Sequence, residues 1–164
     1  MHKRLDENIQ NITPVGFPLL FIATLAELIL QMGDATNVMM YNLGEPFLQA
    51  LREAVINAVC HRDYTTSGNV QIRIFDSRVQ IWSPGELPDG VTVDLLRVEH
   101  ASRPRNKTIA RLLFLAGYIE QWGSGTLSMI AACKRDGLAD PQFKETGSDF
   151  VVTFRRSTLN TLLE

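Results

Sequence analysis

The sequence predicts an α/β fold of the α+β kind, a two-layer sandwich in which a mixed, mainly antiparallel sheet carries helices packed on one face. Three observations predict it. Residues 70–75 and 78–82 alternate apolar with polar side chains on either side of Asp76-Ser77, the pattern of a half-buried hairpin. Residues 45–61 place apolar side chains at helical spacing behind Glu45-Pro46. A second pair of strand-like runs, 142–144 and 150–154, flanks a turn at Gly147. Helices interspersed with antiparallel hairpins bury their apolar faces as one sheet under one helical layer.

Taken in order, residues 1–12 are polar and predict a short helix, broken by Thr13, Pro14 and Gly16. Residues 17–32 form the most apolar stretch, but with Glu27 inside it they fall short of the ~20 apolar residues a membrane span needs. They predict a helix buried in a core or against a partner, and neither a span nor a secretory leader. Residues 37–43 read as a strand, 45–61 as a helix, and 83–90 (SPGELPDG) as a turn-rich loop. Residues 92–98 predict a short helix that Thr92 could cap. A basic loop at 102–106 leads to a helix over 107–116 that stops at Gly117. Residues 118–122 run into Gly123-Ser124-Gly125, and 126–135 have helical spacing with Gly137 as the stop. The expected organisation is an N-terminal helical extension (1–36), one domain (37–156) and a short tail (157–164).

Composition narrows the function classes. The 164 residues suit one ordinary domain, and a net charge of −2 exerts no global pull on nucleic acid, so any DNA contact must come from a local patch. Cys60 and Cys133 form no metal-like spacing with each other or with the three histidines, which fits a reduced, cytoplasmic protein without structural zinc. No G-x-x-x-x-G-K-[ST] loop is present, so this chain contains no helicase motor.

The residue pattern with chemical potential lies on the helix 45–61. Glu53 and Asn57 are four residues apart on one face, His61 follows one turn later, and Leu51, Val55, Ala58 and Val59 occupy the other side. An asparagine oxygen is a hard ligand suited to Mg²⁺, and a carboxylate one turn earlier could orient or deprotonate water. On spacing alone, a solvated polar face is the commoner explanation. Gly123-Ser124-Gly125 before a helix could bring backbone N–H groups to phosphate, or could be a plain helix-start turn capped by Ser124. Arg103, Arg105, Lys107 and Arg111 could close over phosphates, touch a nucleic-acid backbone, or form a solvated loop. His61 and Arg62 could order phosphate or simply complement a helix dipole. Trp82 and Trp122 could stack on a base, although aromatics flanking strands are more often core.

The longer runs around these residues carry a resemblance. Leu51-Arg52-Glu53-Ala54-Val55-Ile56-Asn57-Ala58, followed by His61-Arg62-Asp63-Tyr64, resembles the N-box of GHKL ATPases, the fold class of gyrase, MutL and histidine kinases, as its RecG-helicase-associated branch writes it. Val79-Gln80-Ile81-Trp82-Ser83-Pro84-Gly85, Ser102-Arg103-Pro104-Arg105-Asn106 and residues 117–125 (GYIEQWGSG) resemble further runs of that family, in the expected order. The resemblance covers about residues 41–154. It implies a Bergerat-type, histidine-kinase-ATPase-like fold and a pocket for ATP and Mg²⁺. Glu53 would be the catalytic water activator and Asn57 the metal ligand. His61, Asp63, Ser83, Gly85, Arg103, Arg105, Lys107, Gly123, Ser124 and Gly125 would surround the nucleotide.

The chain departs from the family's Asp-x-Gly-x-Gly motif, which holds Ser83, Gly85 and Leu87 here. A serine reads an adenine amino group less strongly than a carboxylate does, and Leu87 narrows the space left by a second glycine. Asp63 or Asp89 could supply a replacement carboxylate. The function expected is an ATP-binding, and Mg-dependent ATP-hydrolysing, regulatory module of a RecG-like DNA helicase or transcriptional regulator. It would act as a homodimer, with DNA contacted through a separate domain of the parent protein. The alternative is a non-catalytic scaffold or dimerisation domain that kept this fold and lost the nucleotide.

Overall fold

The computed structural model describes residues 44–119 and 124–155. The helices expected over 1–12 and 17–32, the strand at 37–43, Trp122, Gly123 and the tail at 157–164 lie outside the described residues. The elements run α1 (Glu45–His61), β1 (Gln71–Phe75), β2 (Arg78–Pro84), a 3₁₀ turn (Leu95–Arg97), α2 (Lys107–Leu115), α3 (Gly125–Arg135), β3 (Gln142–Thr146) and β4 (Asp149–Arg155). They form the predicted two-layer sandwich. The four strands are antiparallel throughout, in the order β1-β2-β4-β3, so the two hairpins meet along β2 and β4.

Register decides which residues face the helices. Ile81 stands opposite Ile72 on one side and Val152 on the other, and Val79 stands opposite Ile74 and Phe154. These residues join Phe47, Leu51, Ala54 and Val55 of α1 and Met129 and Cys133 of α3 in one core. Phe47 and Phe154 are both fully buried and meet edge to face, with ring centroids 5.5 Å apart. Burying each ring stabilises the fold by about 2–3 kcal/mol. Ile56 and Cys60 turn to a second, smaller cluster with Ala110 and Leu113, which seats α2 beside α1.

Helices α1 and α3 lie side by side and antiparallel, and one hydrogen bond fixes the offset. The carboxylate of Asp136, just past the end of α3, accepts the Phe47 backbone N–H in the first turn of α1 at 2.9 Å. It satisfies one of the N–H groups a helix leaves orphaned and adds negative charge where the dipole favours it. The opposite end of α3 therefore falls beside the third turn of α1.

Three local expectations change. The helix predicted over 92–98 is a single 3₁₀ turn, because Thr92 draws the Leu95 N–H to both its hydroxyl (3.3 Å) and its carbonyl (3.0 Å) and the chain is extended again at Val98. Ser83 and Pro84 belong to β2, where Phe150 and Asp149 stand opposite them, and not to the following loop. Proline fits there because it ends the strand. Trp82 is not in the core: it shares a sheet face with Gln80 and Arg78, on the side away from the helices, with the Arg73 guanidinium 4.3 Å from its ring centroid.

Candidate functional site

The end of α1 is held by side chains from three separate segments. Ser83 donates its buried hydroxyl to the Ala58 carbonyl at 2.8 Å, and the Tyr64 hydroxyl donates to the Val59 carbonyl at 3.2 Å. Asn106 donates its side-chain amide to the carbonyls of both Cys60 (2.9 Å) and Arg62 (2.8 Å), while its backbone N–H also reaches Cys60. Carbonyls that a helix terminus would otherwise leave to water are thus satisfied inside the fold. Gly85 comes close to the same place: its φ of +124° suits glycine, and a Cβ there would stand 3.1–3.2 Å from the Asp63 nitrogen and the His61 oxygen.

Between α1, the start of α3 and the inner face of β2 and β4 lies a cavity of about 380 Å³, within the size range of small-molecule sites. Gln49, Glu53, Asn57 and His61, one per helical turn, supply its polar wall, and Ile81, Ser83, Phe150 and Val152 its floor. Loops 85–91 and 100–104 form the rim.

Asn57 donates its side-chain amide to Glu53 Oε1 at 3.0 Å, which leaves the Asn57 oxygen to act as an acceptor or ligand. The first residue of α3 presses on this pair. A Cβ on Gly125 would lie 1.9 Å from Glu53 Oε1 and 3.3 Å from Asn57 Nδ2, so with a side chain at this position the Glu53 carboxylate would have to move aside. Ser124 occupies the N-cap position of α3. Next to it, the Thr126 hydroxyl is buried in the pocket lining with no hydrogen-bond partner among the described residues.

The far end of the cavity is electropositive. Burial, then the charge of Arg105, then that of His100, hold the His61 pKa below its ordinary 6.5, so the ring is neutral at pH 7. Arg103 and Arg105 donate to the backbone carbonyls of Asp89 (3.3 Å) and Glu86 (2.8 Å), fastening the basic loop to the rim. The buried Cys60 thiol beneath this wall is pushed up to about 12 by burial, reinforced by Glu53.

Of the residues expected to form a site, Glu53, Asn57, His61, Ser83, Gly85, Arg103, Ser124 and Gly125 all line this cavity. Arg105 is exposed and outside the lining, and its charge acts on His61. Lys107 opens α2, exposed and outside the lining, and Gly123 is outside the described residues. Asp63 also lies outside: its carboxylate accepts the Thr65 N–H (2.8 Å) and hydroxyl (2.6 Å), bonds that lower its pKa. The sequence reading missed Gln49, His100 and Thr126. Gln49 was legible as the residue one turn before Glu53, whereas only the fold brings His100 toward His61. Among the described residues no three His, Cys, Asp or Glu side chains gather as a metal site, and no helix is long and apolar enough to cross a membrane.

No curated protein matches the chain. The crystal structure of the DIP2311 protein from Corynebacterium diphtheriae is similar, with a TM-score of 0.64 and 28% sequence identity. The alignment covers 80% of this chain and 28% of that one, so the chain spans under a third of its relative's length. The family described as "Putative ATP-dependent DNA helicase recG C-terminal" matches residues 67–154, from just before β1 to near the end of β4. That stretch is more than half of the 164 residues, and the chain belongs to this ATPase-like, RecG-related family.

Proposed function

We propose that residues 37–156 are an ATP-binding regulatory module of a RecG-like protein, with Mg²⁺ accompanying the nucleotide. The observation that carries this reading is the Glu53–Asn57 pair set against the N-terminus of α3 in one cavity. The residues fit both groups. Mg²⁺ commonly takes one or two protein oxygens and completes its shell with phosphate and water, which suits Asn57 without an acidic cluster. The unpartnered Thr126 hydroxyl and the backbone N–H groups opening α3 are donors of the kind phosphate accepts, supported by the helix dipole. Arg103 and Arg105 would attract the outer phosphates, and neutral His61 would donate one ring N–H to them. Bound Mg²⁺ would supply charge stabilisation at the phosphoryl oxygens. Glu53 would hold water for attack, oriented by its bond from Asn57.

Titration with ATP and Mg²⁺ by calorimetry tests this reading, with Asn57→Ala and Glu53→Ala alongside. Micromolar, Mg-dependent binding lost in Asn57→Ala supports it, and turnover lost in Glu53→Ala extends it to hydrolysis. Absence of binding at millimolar ATP overturns it.

One observation favours a second reading, a scaffold or dimerisation domain without nucleotide. Ser83 is 4% exposed and its proton is committed to Ala58, so no carboxylate reads a base from that position. Dimerisation and contact with DNA through another domain of the parent protein are proposals under either reading.

A further inference from the structure

One end of the cavity gathers positive and titratable side chains. His61 closes α1 there, and His100 and Arg103 reach the same lining from the rim loop. The loop that carries them is fixed: Arg103 and Arg105 donate to the carbonyls of Asp89 and Glu86, and Asn106 ties its root to the end of α1. Burial, then the charges of Arg105 and His100, oppose a proton on the His61 ring. The charges acting on His61 are thus both positive. Two carboxylates belong to the lining, Glu53 and Glu86. Glu53 stands two turns, ~12 Å, back along α1 and takes the Asn57 amide, while Glu86 is exposed on the rim. Beyond the lining, Asp63 is bonded to Thr65, Arg62 turns to the Gly68 carbonyl, and the raised pKa of Cys60 keeps it a neutral thiol.

We propose, resting on the nucleotide reading of this cavity, that its histidine end is a proton-linked anion clamp: His61 takes up a proton when phosphate groups enter, so the module binds more tightly as pH falls. A neutral imidazole offers one N–H, whereas the protonated ring offers two, each in a charge-assisted bond. What keeps the second proton off is burial among positive charges. A phosphate dianion supplies the counter-charge from inside the cavity, and an opposite charge within about 4–6 Å moves a pKa by roughly 1–3. His61 responds first because α1 fixes it in the wall, whereas the His100 ring is 3.0 Å from the Val98 carbonyl on a loop. Between the free and bound pKa values of His61 the complex holds more protons than its parts, so affinity rises as pH falls through that window. The terminal phosphate of the nucleotide, which titrates near pH 6, can only release a proton on meeting these cations. Net uptake therefore belongs to the protein.

The test is calorimetry of the full chain with ATP and Mg²⁺ at pH 7 in buffers of differing ionisation heat, which counts the protons exchanged per nucleotide bound. Affinity is then compared at pH 8 and pH 6. Expected are a net uptake of about half a proton at pH 7 and binding about three- to tenfold tighter at pH 6 than at pH 8. His61→Gln should bind without uptake and with a flat profile. Imidazole NMR of the unsubstituted chain is the second measurement, with His61 assigned from the His2→Gln and His100→Gln spectra. Its titration should move to higher pH when ATP and Mg²⁺ are added. Binding without proton uptake, uptake that persists in His61→Gln, or a His61 titration that ATP leaves in place overturns the proposal while the nucleotide reading stands. Absence of binding at millimolar ATP overturns both.

Discussion

Asn57 and Glu53 are joined by a 3.0 Å hydrogen bond along one face of α1, and Gly125, 72 positions from Glu53 in sequence, closes over both. A bond between residues one turn apart on an exposed helix is worth only a few tenths of a kcal/mol. Its significance here is positional, since the N-terminus of a second helix has been brought against it.

Substituting Gly125→Ala is expected to push the Glu53 carboxylate off its bond from Asn57 at a cost of about 1 kcal/mol, which offsets the roughly 1 kcal/mol that Gly→Ala usually gains in a helix. The cause is the Cβ facing Glu53 Oε1. In urea denaturation, Gly125→Ala/Glu53→Ala should recover at least ~1 kcal/mol relative to the sum of the single changes. Additivity would show that the two residues do not press on each other.

Ser83→Ala is expected to cost about 1–3 kcal/mol, because it leaves the Ala58 carbonyl buried without its donor. Ser83→Cys, a weaker donor of similar shape, should fall between. A stability change within ~0.5 kcal/mol for Ser83→Ala would mean that water replaces the hydroxyl.

The depressed pKa of His61 sets a pH dependence. The unfolded chain binds a proton at this residue near pH 6.5 and the folded chain only at lower pH. The contribution is therefore fully present above about 6.5 and is lost as pH falls from there toward the folded value. Denaturation midpoints should drop between pH 7.5 and 5.5, and His61→Gln should flatten that part of the profile. Bound phosphate groups beside His61 would raise its pKa and reduce the drop.

Cys60 and Cys133 are buried and both are pushed up to about 12, chiefly by burial, so neither thiol ionises near neutral pH. Under native conditions a disulfide reagent should modify them only at the rate of transient opening, and both at once in denaturant. Rapid native modification of either would contradict the packing around α1 and α3.

Much of the fold was legible because local chemistry agreed with the final structure. Pro46 at the start and a polar face at regular spacing bounded α1 at Glu45 and His61, and alternation with a two-residue turn defined β1 and β2. Local signals misled where tertiary contacts decide. Pro84 reads as a loop residue but ends a strand, and Thr92 reads as a cap but closes only one turn. Within the candidate site, Glu53, Asn57 and His61 were visible through periodicity. The role of Gly125 was not, because a contact spanning 72 positions leaves no periodic trace. His100 and Thr126 were hidden for the same reason: a helix start and a rim loop acquire meaning only when α1 lies opposite them.

Asn106 is tied to the end of α1 at Cys60 and Arg62, and it is also where α2 begins. The basic loop ahead of it therefore has one anchored root, whereas its other attachments are the two arginine bonds to the rim. Were an anionic ligand to draw those arginines inward, the loop would swing about Asn106 as a gate about its post, leaving α2 and the wall of the chamber at rest.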